Sequence, residues 1–300
     1  MWDEQGGFRY REPLFIFMEE NNMTDKRLID PWHRVDDSGE ADRLIQVLEE
    51  ADLTPGWAEL RQTWLDFSGV RPGDRVLDVG CGTGVVTRDL AQRVGHRGQV
   101  VGIDPSTRLI QEALRRMEEK DVKGQIEFRC ADGAALPCPD GSFDMVVASA
   151  VFGHVPNGRE VLREMVRVAR PSGTVLAFDH DIDTIAIDAA DRNVTRRIVH
   201  AYCDRYFTRG WSGRELYGMF RQAKLEEIAV LPLTFTSTEF EPHWKRMVER
   251  LSTVAIKTGV VSEAEAAGWR ADLEERGLED RFFASRSYFC LRGRKPGAAG

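Results

Sequence analysis

Residues 76–84 read Val-Leu-Asp-Val-Gly-Cys-Gly-Thr-Gly, and the order of residue types in this stretch decides the fold. An apolar strand carrying Asp78 runs into three alternating glycines, Gly80, Gly82 and Gly84, and a helix-like stretch follows from about Val85 to Val94. Glycines in such a turn adopt backbone angles closed to other residues and let a ligand touch the main chain. Asp104 lies twenty residues past Gly84, at the end of the next strand, where a carboxylate can accept both hydroxyls of a ribose. Two cofactor classes use this geometry. A dinucleotide site wants GxGxxG, but the third position falls on Val85 counted from Gly80 and on Thr87 counted from Gly82.

Working outward, short apolar runs at 75–79, 99–103, 126–130, 143–148 and 174–179 read as strands. Helical spacing fills 85–94, 106–117 (Ser106 as N-cap) and 158–168. Alternating strands and helices predict an α/β fold, a Rossmann-like, doubly wound, mostly parallel sheet. Before it, 42–50 and 55–67 read as amphipathic helices. After it, 188–223 reads mostly as helix, 226–234 and 284–291 as strands, and 240–255 and 264–275 as helices. The expected organisation is an extension at 1–22 without order, an N-terminal helical cap at 23–69 and a cofactor-binding core at 70–182. A helical lid at 183–224, completing strands at 225–293 with a helical insertion at 240–282, and a loose tail at 294–300 follow. The helical insertions are expected over the carboxyl edge of the sheet, where open α/β folds bind ligands.

Composition narrows the class. At about 150 residues per domain, 300 residues suit two domains or one elaborated domain. A net charge of -8, from 41 basic and 49 acidic side chains, argues against a nucleic-acid partner. No apolar run approaches the roughly 20 residues that span a bilayer, so no membrane role is expected. The patch Leu14–Met18 is too short for a signal peptide. Five scattered cysteines without a CxxC pair suggest reduced thiols in the cytoplasm, with no metal site.

With the glycine turn stand Val101-Gly102-Ile103-Asp104-Pro105-Ser106, the stretch Ala131 to Asp144 (ADGAALPCPDGSFD), Arg163-Glu164, and Arg170-Pro171-Ser172-Gly173-Thr174. In this set the chain resembles the class I S-adenosylmethionine-dependent methyltransferases, in the small-molecule branch of ubiquinone/menaquinone-type enzymes. The resemblance covers roughly Val70 to Phe178. It implies S-adenosylmethionine as cofactor, with Gly80, Cys81, Gly82 and Gly84 giving the cofactor access to the main chain. It further implies that Asp78 holds the turn and the methionyl ammonium, and that Asp104 takes the ribose hydroxyls. Asp132 with Gly133 would read the adenine edge, Ile103, Pro105 and Ala134 would pack on the ring, and Ser149 would begin the methyl-transfer zone. The sequence departs from the family spelling at Cys138, where Phe is usual, and at Ser172, where the usual Pro-Gly-Gly has changed.

Methyl transfer from a sulfonium asks chiefly for alignment and water exclusion, and for a base only where the nucleophile must lose a proton. His154, after the fourth strand, is the first candidate; a histidine packed in a loop is the other reading of it. Asp179-His180-Asp181 ends the fifth strand at the same edge, where an Asp–His pair can orient a base, with Asp181 or Asp183 as the cap of the next helix in the competing reading. Trp32, His33, Trp57 and Trp64 suit either an N-terminal flap or plain packing. Tyr202, Tyr206, Phe207, Trp211, Tyr217 and Phe220 suit an aromatic lid over a flat acceptor. The reading is methylation of O, N or C on a small organic acceptor, a secondary metabolite or a quinone-like or phenolic compound; a homodimer is allowed. A nicotinamide oxidoreductase and a non-catalytic S-adenosylmethionine binder stand as rivals.

Overall fold

Alternation of short apolar strands with amphipathic helices builds a seven-stranded sheet in the computed structural model, which describes residue 28 and residues 30–119 and 126–297. The extension at 1–22 and the last three residues of the tail lie outside the described residues. The strands are β1 (Arg75–Val79), β2 (Gln99–Asp104), β3 (Ile126–Cys130), β4 (Phe143–Ser149), β5 (Ala169–Ile187), β6 (Glu226–Ser237) and β7 (Ala284–Arg294), in the order β3-β2-β1-β4-β5-β7-β6. The first five run parallel, and β7 lies antiparallel between β5 and β6. Chain order reverses between β1 and β4, so their carboxyl ends open the crevice where such sheets bind ligands.

The central strands are apolar throughout because helices cover both faces. The helices are α1 (Ala41–Leu53), α2 (Pro55–Ser68), α3 (Val85–Val94), α4 (Thr107–Glu119), α5 (Gly158–Val168), α6 (Arg192–Arg205), α7 (Ser212–Gln222), α8 (Pro242–Lys257) and α9 (Glu263–Leu278). One face gathers Trp64, Leu90, Ile198, Trp244 and Leu251 from α2, α3, α6 and α8. On the other, Leu162 and Met165 of α5 meet Leu216 and Phe220 of α7. Trp64, 1% exposed, stacks on Phe178 at 5.4 Å and is a core residue, not part of a flap.

The expected elements form, with three differences. The fifth strand runs to Ile187, held beyond the parallel sheet by β7 alone, so Asp179–Asp181 lie within it and not at its end. Helix α6 is capped by Asp191, which accepts from the amides of Asn193 and Val194; Asp181 and Asp183 pair with Arg214 instead. Within 183–224, α6 and the turn after it face the crevice through Tyr202 and Phe207, whereas α7 packs beneath β5 and β7 beside α5, leaving Trp211 and Tyr217 exposed.

Candidate active site

The turn after β1 is fixed from below. The amides of Gly80 and Cys81 both donate to the Ile103 carbonyl, at 2.7 and 3.0 Å, tying the loop to β2. Gly80 and Gly82 have φ of +71° and +54°, which favours glycine. A Cβ on Gly80 would stand 2.5 Å from Val151 Cγ2, and one on Gly82 3.1 Å from Leu48 Cδ1. Gly80 is thus packed under Val151 and Gly82 under Leu48 of α1, where a side chain would not fit, and both line the cavity over the loop.

Asp104, 6% exposed, stands beside that main chain. Its Oδ2 accepts from the Gly82 amide at 3.0 Å and its Oδ1 from the Ser106 amide at 2.9 Å. Each oxygen keeps a further lone pair. Burial raises its pKa to about 6 against the lowering effect of these two bonds. Asp78 lies beneath the loop, where Thr87 Oγ1 donates to it at 2.6 Å; burial pushes its pKa up to about 7.

A cavity of about 310 Å³ opens over the loop, within the usual range for small-molecule sites. Gly80, Gly82, Asp104, Pro105, Ser149, His154 and His180 all line it. Asp78, Cys81, Gly84, Asp132, Gly133 and Asp181 do not. The buried Cys81 thiol points toward Gly102, Gly84 precedes α3 and packs against Phe128, and Gly133 packs on Val79 and Val161. Asp132 is exposed and accepts from the Ala134 amide at 2.8 Å in a local turn. It stays at the same sheet edge, because the Ala131 amide donates to the Asp104 carbonyl at 3.1 Å. Asp181 is consumed by a two-bond pair with Arg214.

His154 does face the cavity, and its partner comes from an unexpected place. Nδ1 lies 2.8 Å from Oδ2 of Asp30, a 5% exposed carboxylate in the segment before α1. A carboxylate accepts, so Nδ1–H donates and Nε2 is left as the basic nitrogen. The Trp32 amide and the Thr208 amide and hydroxyl also donate to Asp30. Phe207, His180 and Trp32 surround the imidazole at centroid distances of 5.1, 5.6 and 5.8 Å.

His180 is a poor base. Burial, with His154 and Arg286 nearby, holds its pKa well below the usual histidine range, and its Nε2 has no partner among the described residues. Asp179, buried, orders the turn before His154 by accepting from the amides of Phe152 at 2.7 Å and Gly153 at 3.3 Å. At the far end, β7 contributes Arg286 and Tyr288, α2 contributes Trp57, and α8 contributes His243, Arg246, Met247 and Arg250.

Sequence reading missed Asp30, Arg286 and Tyr288. Asp30 falls in a stretch without periodicity and carries no local signal. Arg286 did carry one: it occupies an inward position in the alternation Ala284, Arg286, Tyr288, Cys290.

Residues 76–173 match the model of a family described as a methyltransferase domain. The ubiquinone/menaquinone biosynthesis C-methyltransferase UbiE of Ectopseudomonas mendocina is 39% identical over 115 residues, 38% of this chain and 45% of that protein. The demethylmenaquinone methyltransferase of Bacillus cereus is 29% identical over 189 residues, 58% of this chain and 79% of that protein. An uncharacterized 37.1 kDa protein in transposon TN4556 of Streptomyces fradiae is 32% identical over 190 residues, covering 63% and 54%. The chain thus spans about half the length of several of the curated relatives it matches. Two solved structures share the fold. A putative methyltransferase from Bacillus halodurans has a TM-score of 0.53 at 19% identity, covering 79% of this chain and 98% of that one. Phosphoethanolamine N-methyltransferase 2 of Haemonchus contortus, in complex with S-adenosyl-L-methionine, has a TM-score of 0.56 at 18% identity, covering 87% and 59%.

Fold, glycine turn and family match identify residues 76–173 as a methyltransferase domain of the class I, S-adenosylmethionine-dependent architecture. Ubiquinone/menaquinone-type enzymes are among the curated proteins it is similar to. Among the described residues no group of His, Cys, Asp and Glu could hold a metal ion, and no helix is long and apolar enough to cross a membrane.

Proposed function

We propose that this chain transfers a methyl group from S-adenosylmethionine to O, N or C of a small ring compound, phenolic or quinone-like. The observation that carries the reading is that two positive-φ glycines, a buried carboxylate with lone pairs to spare, and a carboxylate-held histidine all open on one cavity.

The residues present fit the cofactor. Bare main chain at Gly80 and Gly82 admits its close approach, Asp104 has acceptor capacity for two ribose hydroxyls, and Asp132 at the outer rim is the proposed adenine contact. When bound, the cofactor supplies an electrophilic methyl on a sulfonium that leaves as a neutral thioether. The chain's own work is orientation, dryness and one proton. Phe178, Tyr202, Phe207 and Tyr288 give an apolar aromatic wall that excludes water. His154 Nε2 accepts the proton that the acceptor's O–H, N–H or C–H loses, and Asp30 holds the ring and steadies the imidazolium. The five unpaired cysteines support a reducing compartment, the cytoplasm.

The test combines calorimetry with mass spectrometry. S-Adenosylhomocysteine is expected to bind and NADH not to; incubation with S-adenosylmethionine and 1,4-naphthohydroquinone or related phenols should add the mass of one methylene. Binding of NADH alone would favour the oxidoreductase rival. Cofactor binding without methylation across a phenol and hydroquinone panel would favour the non-catalytic one.

A further inference from the structure

We propose that the acceptor is an aromatic acid whose carboxylate docks on Arg286, at the β7 end of the cavity and away from the methyl-transfer zone. The inference rests on the reading of this cavity as the acceptor site and names its substrate class.

Arg286 is 7% exposed, yet no carboxylate pairs with it among the described residues. Its contacts are aromatic faces, with the guanidinium carbon 4.7 Å from the Tyr288 ring centre and 5.5 Å from that of Trp57. Burial lowers its pKa to about 10, so it remains a cation at neutral pH. Asp179, whose charge reaches it, is already occupied by the amides of Phe152, Gly153 and His180 and by the Ser212 hydroxyl. The other charges at this end are two arginines and one carboxylate, Glu50, which is already paired. Arg250 lies against Tyr202, and Arg246 is paired with Glu50 at 2.8 Å. His243 is held neutral, its pKa brought down to about 3 by burial and by these arginines. Two more buried donors, the Tyr288 hydroxyl and Trp57 Nε1, have no acceptor among the described residues.

Buried charges in proteins are paired. A cation on a cavity wall with no carboxylate beside it leaves the pairing to a ligand. The planar guanidinium fork matches a carboxylate, and Trp57, Tyr288 and Phe178 line the cavity beside it with apolar aromatic surface that suits the aromatic body attached to the acid. The wall runs from His154 to His180 at 5.6 Å, His180 to Tyr288 at 6.4 Å, and Tyr288 to Arg286 at 4.7 Å. The acid is therefore the handle, and the methylated atom sits on the ring system at the His154 end.

Calorimetric titration of the full chain with 2-naphthoate and with its neutral isostere 2-naphthamide tests this directly. The wild type should bind the acid about tenfold or more tightly than the amide. Arg286→Met should erase that preference and Arg286→Lys keep part of it, with the affinity for S-adenosylhomocysteine unchanged within about twofold as the folding control. Equal or tighter binding of the amide by the wild type, absent binding of 2-naphthoate, or a preference that survives in Arg286→Met would overturn the proposal. The wild-type comparison stands even if a variant fails to fold. Failure of S-adenosylhomocysteine to bind, with the acid preference intact, would remove the methyl-transfer reading and leave the anion site standing.

Discussion

His154 is held by a carboxylate 124 residues earlier in the chain, and its proposed role as base rests on this pairing. Imidazoles oriented through Nδ1–H keep Nε2 as acceptor, and general-base catalysis contributes about 10²–10⁴ in rate. His154→Ala should therefore cut kcat by about a hundredfold or more while the affinity for S-adenosylhomocysteine, measured by calorimetry, stays put. Asp30→Asn should lower kcat as well, and the double variant should be scarcely worse than His154→Ala alone, because the two side chains act as a unit. Additive losses would mean that Asp30 serves only the packing of its own segment. Asp104 sets a different signature. With its pKa near 6, it would meet the proposed ribose hydroxyls as a charged group above that pH and as a neutral one below it. Cofactor affinity should fall as pH drops through about 6. Asp104→Asn should weaken binding by about tenfold to a hundredfold at pH 8 and flatten the pH profile, since bonds to a charged group are worth about 1.5–3 kcal/mol.

The same division by distance explains what the elements disclosed in advance. The parallel core was legible because each strand and helix announces itself within about ten residues by period and by glycine, and Gly80, Gly82 and Asp104 came with it. The segment from Asp30 to Glu40 was not legible, because its role depends on partners far along the chain. Asp36 accepts from the Ser106 hydroxyl and from the Thr107 amide at 2.8 Å, capping α4 beside Asp104, while Asp30 reaches His154. One irregular segment thus joins the Asp104 side of the cavity, the proposed cofactor side, to His154, the proposed base. Burial acts to raise the Asp36 carboxyl, but the bonds from Ser106, Thr107 and Arg108 outweigh it and hold the pKa below its ordinary value. Asp36→Ala should cost about 1 kcal/mol as a lost cap. It should also speed amide hydrogen exchange across 30–40 and lower both cofactor affinity and kcat. A stability loss with both functions intact would show the segment to be a passive strap.

For the molecule as a whole, two buried carboxylates beneath one loop make stability depend on pH in an unusual sense. Asp78 and Asp104 have folded pKa values of about 7 and about 6, above the 3.8 expected for an exposed chain. Between about pH 4 and pH 7 the folded state retains protons that the unfolded state has released, so stability falls as pH rises through that window and levels off above it. Thermal unfolding of the ligand-free protein should therefore show this contribution as a higher midpoint at pH 5 than at pH 8. Asp78→Asn keeps an oxygen for the Thr87 hydroxyl and removes the buried charge. It should be more stable than the wild type at pH 8, by an amount on the order of a few kcal/mol, and about equal to it at pH 5. Binding should work in the opposite direction, because the proposed hydroxyl donors at Asp104 would favour its charged form. Saturating S-adenosylhomocysteine, which stabilises by about 2.7 kcal/mol at a hundred times Kd, should then raise the midpoint more at pH 8 than at pH 5. Parallel pH profiles for wild type and Asp78→Asn, or a ligand-induced shift that is the same at both pH values, would show that these carboxylates are not the charges that set the stability of the loop.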